Sequence, residues 1–145
     1  MSQRSRAEAK RRIRETGLRA TTPRVEVLAL LSRSETPLSH SEVVEQLGTD
    51  DWDAATLYRN LVKLAEADLA RIASRVGGIA RYAAADEGTH AHTHPHFSCK
   101  SCGAVACLPE AQLTGRLGRR WTGALKAAEI QVVGDCPDCL AEQAR

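Results

Sequence analysis

Two Cys-x-x-Cys pairs, Cys99-Lys100-Ser101-Cys102 and Cys136-Pro137-Asp138-Cys139, bring the chain's most reactive side chains together at a spacing with chemical meaning. A two-residue spacer lets a tight turn aim both sulfurs of a pair at one ion, and two such pairs supply the four soft ligands of a tetrahedral zinc. Gly103 after the first pair and Pro137 inside the second suit such turns. The competing readings are two redox dithiols or two disulfides. A lone redox motif has no need of a duplicate, and the five cysteines would leave one thiol over from a disulfide framework. Upstream, His90, His92, His94 and His96 alternate with small residues. On an extended strand alternate residues share a face about 6–7 Å apart, close enough for one ion to take two of them.

The remaining composition fits a reduced, metal-binding protein. Only 3% of the 145 residues are aromatic, which predicts a modest apolar core supplemented by a metal or a partner subunit. The first residues carry no apolar stretch and no run approaches bilayer length, so neither a secretory leader nor a membrane span is expected, and the location expected is cytoplasmic. The net charge of +2 hides eight basic residues between Met1 and Arg24 against Glu8 and Glu15, a local excess able to attract polyanions once a fold presents it. A catalytic zinc needs an open coordination position and a general base, and no such constellation is visible, so no enzyme activity and no small organic substrate are expected.

The elements that would position these groups fall into two sets. A basic helix over 6–16 ends at Gly17. Thr22 is expected as the N-cap of a second helix with Pro23 at its first position, and Val25, Leu28 and Leu31 line one face. Ser39 to Glu42 forms a capping box for a third helix with Val43, Val44 and Leu47 inward. Asp53 caps a fourth, with Leu57, Leu61 and Leu64 at helical spacing to about Ala67. Two short runs then flank Gly77-Gly78, a favoured hairpin turn. Helices followed by a two-stranded hairpin give a winged helix-turn-helix, with the fourth helix as recognition helix and Arg75 to Gly78 as wing tip. The expected fold class is α+β: a winged helix-turn-helix DNA-binding domain over 1–84, a hinge over 85–91 and a small zinc-binding α/β domain over 92–145. In the latter, strands are expected over 94–99, 104–108 and 129–133, with a glycine-interrupted helix over 109–125.

From Gly17 to Cys139 the chain resembles the ferric uptake regulator (Fur) family of bacterial metal-responsive repressors. Gly17 to Arg24 is similar to the family's entry to its second helix, and Ala55-Thr56-Leu57-Tyr58-Arg59-Asn60-Leu61 to its recognition-helix motif. His94-x-His96-x-x-Cys99-x-x-Cys102-Gly103 resembles its most specific stretch, and Gly134 to Cys139 its closing zinc knuckle. The resemblance implies a homodimer, joined through the C-terminal domain, that binds double-stranded operator DNA when metal-loaded. It gives Tyr58 and Arg59 base-contacting roles beside Thr56, and Arg19 a role near the backbone or minor groove. Arginine can bridge two guanine acceptors, and tyrosine can pack on a thymine methyl or reach a phosphate.

The departures from the family pattern bear on the metal sensed. The regulatory site of the family takes a histidine before the third helix, an acidic residue from the wing, two histidines before the first knuckle and an acidic residue five positions beyond it. Here those positions hold Pro37, Ala83, His94 with His96, and Cys107. A further family site falls on Thr93, Pro95, Thr114 and Ala128, none a good ligand. One structural zinc (Cys99, Cys102, Cys136, Cys139) and one regulatory divalent metal per subunit are therefore expected. A thiolate in place of a carboxylate favours zinc over iron or manganese and points to a zinc-uptake-regulator-like member. His94, His96 and Cys107 make three ligands. His92 is the expected fourth, with His90 and His40 as alternates and Asp86 and Glu87 as weaker oxygen donors. The alternatives are an iron-, nickel- or manganese-responsive regulator of the same family, or a zinc-ribbon nucleic-acid-binding protein without metal sensing.

Overall fold

A computed structural model describes residues 3–85, 95–108, 118–126 and 130–145. The chain divides into two compact units, Met1–Glu87 and Gly88–Arg145. Most of the expected hinge, and His90, His92 and His94 with it, lies outside the described residues.

In the first unit, α1 (Gln3–Glu15) and α2 (Thr22–Arg33) are followed by the two-residue strand β1 (Leu38–Ser39), α3 (His40–Leu47), α4 (Ala54–Glu66) and the hairpin β2 (Ala70–Val76) and β3 (Ile79–Ala84). Three sequence signals act as expected. Ser39 Oγ accepts from the Glu42 amide while the Glu42 carboxylate accepts from the Ser39 amide, a reciprocal capping box. Asp53 Oδ1 accepts from the Thr56 amide at 2.7 Å and starts α4. Gly77 and Gly78 both have positive φ, as a type I′ two-residue hairpin turn demands at both positions. A register shift between Ile72 and Ser74 interrupts the β2–β3 ladder, and β1 adds to the outer side of β3, giving the order β1-β3-β2.

Two details of α2 differ from expectation. The cap position of α2 is Thr21, with Thr22 and Pro23 inside the first turn, and no side-chain cap bond forms. The proline requirement is met one residue later than expected, because Pro is tolerated anywhere its missing N–H would be an orphan. Secondly, α2 buries every residue from Val25 to Leu31 rather than one face, since it runs through the middle of the unit. Ile13, Leu57, Leu61 and Leu64 close around it, all fully buried. Each such side chain contributes about 1.5–3 kcal/mol by leaving water. Glu26, buried on α2, is held by Arg6 of α1 at 2.5 Å.

The second unit contains β4 (His96–Cys99), β5 (Val105–Cys107), α5 (Arg119–Lys126), β6 (Gln131–Gly134) and α6 (Pro137–Gln143). The strand order is β5-β4-β6, antiparallel between β4 and β5 and parallel between β4 and β6. A parallel pair needs a crossover, here the segment containing α5. Most of the helix expected over 109–125 lies outside the described residues, and α5 starts at Arg119. Neither β1 nor α6 was expected. Among the described residues of this unit the buried side chains include Cys99, Cys136, His96 and Ser98, while Trp121, Val132, Val133 and Leu140 are exposed. Among the described residues, no helix is long and apolar enough to cross a membrane.

Candidate metal centre and nucleic-acid face

The two knuckles meet because β6 lies parallel to β4 with Gly134 opposite Cys99. Strand β4 delivers Cys99 to the first turn, where the Gly103 amide donates to the Cys99 carbonyl at 3.0 Å and Gly103 adopts positive φ. Strand β6 delivers Cys136, which caps α6 with Pro137 behind it, and Cys139 follows on the first turn of that helix. The Lys100 amide donates to the Gly134 carbonyl at 2.8 Å, and Asp135 receives Ser101 Oγ at 2.5 Å and Lys100 Nζ at 3.6 Å. The residues between the first two cysteines are thereby tied to the residue before the third. The Ser101 hydrogen bond, with Lys100 beside it, holds the Asp135 carboxyl below the usual carboxylate range.

The sulfurs of Cys99, Cys102, Cys136 and Cys139 all lie within 4.8 Å of one another. Cys99 Sγ is 3.8 Å from Cys139 Sγ, and Cys102 Sγ is 3.7 Å from Cys136 Sγ. A disulfide would require about 2.05 Å, so all four are free thiols. A tetrahedron with metal–sulfur bonds of about 2.3 Å has edges of about 3.8 Å, so the set fits a four-coordinate thiophilic ion. Amide donors complete the arrangement: the Cys102 and Cys136 N–H groups point at Cys99 Sγ at 3.5 and 3.3 Å. These donors hold the Cys99 thiol down to about 6, because a hydrogen bond to the charged form favours it. At Cys102 the Ala104 amide acts in the same sense, but neighbouring Cys99, burial and Cys136 outweigh it and the thiol is raised. Cys139 is pushed up by Cys136 and Cys102. Four adjacent thiols cannot all ionise unaided, and a divalent cation supplies the missing positive charge.

Of the expected regulatory ligands, His96 is described and buried, 4% exposed, at the start of β4. Its cross-strand partner in the antiparallel register is Cys107 on β5. Positions opposed in this way lie on one face of the sheet. His40 is on α3 in the first unit, and its Nε2 is 2.7 Å from the Ala54 carbonyl oxygen.

The helix α4 buries Leu57, Leu61 and Leu64 and leaves Tyr58 (49% exposed) and Arg59 in solvent. Arg59 reaches Thr56 Oγ1 at 3.2 Å. Arg19, in the α1–α2 connection, is exposed, and its carbonyl accepts from Arg24 at 2.7 Å. Sequence alone did not single out Asn60, which is buried, donates to the Thr56 carbonyl and accepts from Arg24 Nε at 3.1 Å. It locks α4 to the start of α2. A polar residue on the buried side of a leucine-patterned helix was the available signal. Asp135, likewise missed, was marked by its place directly before a knuckle.

A family model described as the ferric uptake regulator family matches residues 15–130. Ferric uptake regulation protein 1 of Mycolicibacterium fortuitum is 30% identical over 141 residues, covering 86% of this chain and 85% of that protein. In fold, the ferric uptake regulator of Helicobacter pylori, described as having three functional metal binding sites, superposes with a TM-score of 0.67 at 22% identity over 97% of this chain and 95% of that one. A zinc uptake regulator solved with zinc and DNA gives 0.62 at 22% identity over 99% and 97%. Matched along most of its length and built on the same fold, this chain belongs to the ferric uptake regulator family of metal-responsive transcriptional regulators.

Proposed function

We propose that the protein is a zinc-responsive repressor of metal-homeostasis genes, acting in the cytoplasm as a homodimer on double-stranded operator DNA. The observation that supports the choice of metal is the backbone register that makes His96 and Cys107 cross-strand partners in the β4–β5 pair. A mixed imidazole and thiolate set suits zinc, whereas iron and manganese sites of this kind lean on carboxylates. In this reading Cys99, Cys102, Cys136 and Cys139 hold a structural zinc. His94, His96, Cys107 and His92 hold the regulatory ion, with His90 and His40 as alternates. The zinc- and DNA-bound state of a structural relative supports the DNA arm. So does the exposed pair Tyr58 and Arg59 on a helix whose other face is fully packed. The homodimer is supported by β6, an edge strand of its sheet whose Val132 and Val133 are exposed, since an apolar edge invites a second chain. The regulatory ion acts by favouring the DNA-binding arrangement over the alternative, which needs only differential affinity for the two.

A second reading, an iron-responsive regulator, draws on the ferric uptake regulation proteins that are 30% identical to this chain. The two are separated by measuring operator affinity after reconstitution with zinc, iron(II), manganese or nickel in turn. Zinc alone restoring tight binding at a buffered free concentration far below that needed of the others is the expected result; preferential activation by iron(II) overturns it.

A further inference from the structure

His40 is the first residue of α3, directly after the Ser39 cap, and it touches α4 twice. Its Nε2 is 2.7 Å from the Ala54 carbonyl oxygen, and its ring meets that of Tyr58 edge-on, 5.4 Å between centroids at 69°. A carbonyl oxygen can only accept, so Nε2 carries the hydrogen and donates. Ala54 is the first residue of α4, and the helical repeat aims its carbonyl at the amide of Tyr58 four residues on. One carbonyl therefore joins the His40 ring to the backbone of Tyr58, while the T-shaped contact bears on the Tyr58 side chain. Edge-to-face packing is the favoured arrangement for such a pair. Tyr58 is about half exposed, so without that contact its ring would sample several rotamers in solvent.

We propose that His40 is a positioning residue of the DNA face: it clamps the first turn of α4 and holds the Tyr58 ring in one outward rotamer ready for the operator. This rests on α4 being the recognition helix, and it assigns His40 to DNA recognition rather than to the regulatory metal. A donating Nε2 is already committed to Ala54, so ligation through that atom would break the clamp.

The test is a double-mutant cycle on the zinc-loaded full-length protein, with operator and random-sequence DNA as ligands. His40→Ala is expected to weaken operator binding about three- to tenfold, the scale of ordering one side chain, with random DNA little affected. His40→Gln, which retains a donor able to reach the Ala54 carbonyl, should recover part of that loss. In a Tyr58→Ala background His40→Ala should add nothing further. Additive losses would overturn the proposal, because His40 would then act on DNA by itself. Loss of a metal ion per subunit, or a shifted zinc midpoint, in His40→Ala would also overturn it and return the residue to the metal site. Equal losses on both DNAs together with a lowered melting temperature would reduce His40 to general support of the fold. The Tyr58→Ala arm separates the two levels. If it leaves operator affinity intact, the recognition-helix reading itself fails; if it weakens binding while His40→Ala is silent, only the positioning role fails.

Discussion

Cys107 is the residue on which the proposed metal preference turns. A carboxylate at this position would be a hard donor, and a thiolate is a soft one. With Cys107 opposite His96 in the β4–β5 register, its replacement should be felt at the regulatory site and nowhere else. Cys107→Ser is expected to keep the four-cysteine zinc and the dimer while reducing zinc-dependent operator affinity by about 5- to 150-fold, the usual span of an allosteric coupling. Cobalt substitution checks the chemistry directly, since a thiolate-to-cobalt band should persist at the structural site and diminish at the second. Spectra and DNA binding identical to the parent protein would make Cys107 a packing residue. At this scale the sequence was readable where chemistry is local: two-residue spacers revealed the four cysteines. It did not reveal that the short sulfur contacts run between knuckles, Cys99 to Cys139 and Cys102 to Cys136, because that depends on strands 35 residues apart in the parallel register. Nor could spacing show that the His40 Nε2 is engaged by a carbonyl 14 residues away.

Elements with their own start and stop signals were legible, and those created by pairing were not. The capping box at Ser39, the Asp53 cap and the Gly77-Gly78 turn are encoded within four residues each, and all three form. Strand β1 is only two residues long and exists because β3 offers Leu38 and Ser39 a ladder. Helix α6 begins inside the second cysteine knuckle, where Pro137 serves both a turn and a first helical position. The β1–α3 junction also carries a charge that can be tested. Burial raises the Glu42 carboxyl, but Arg81 at 2.6 Å and the Ser39 amide outweigh it and hold it below the usual range. A carboxylate lowered in this way adds stability above its unfolded value, and that stability is lost as pH falls through the lower folded value. Ser39→Ala should cost about 1 kcal/mol, lowering the melting temperature of the first unit by about 4–8 °C. Glu42→Gln should flatten the acid limb of its stability curve below about pH 4 while leaving the neutral-pH slope unchanged. Thermal melts followed by circular dichroism across pH decide both.

The two units differ in what holds them together. The first closes a leucine-rich cluster around α2, whereas the described part of the second buries only Pro95, His96, Ser98, Cys99 and Cys136. Site formation and folding should therefore be coupled in the second unit only. Cys99→Ser is expected to release the structural zinc and the dimer together, while the melting transition of the first unit stays in place; scattering-detected gel filtration with metal analysis reads both. A stable, fully zinc-loaded dimer would refute that coupling. Charge is distributed across the molecule in a way that composition alone overstated. Of the eight basic residues before Val25, Arg6 is bound to Glu26, Arg11 to Glu8 and Glu15, Arg12 to the Ala85 carbonyl, and Arg24 to Asn60 and the Arg19 carbonyl. The solvated excess is smaller than the count, and Arg19 is an exposed part of it next to the packed start of α2. Each phosphate contact steepens the fall of binding with salt by about 0.9 in the log–log slope. Arg19→Ala should therefore shallow that slope by about 1.8 for a homodimer using both copies, weakening operator and random DNA alike. Arg11→Ala, which removes a charge already balanced by two carboxylates, should leave the slope within error of the parent. If the two variants change the slope equally, the basic first helix acts as a diffuse polyanion-binding surface, and Arg19 has no particular place on the DNA backbone.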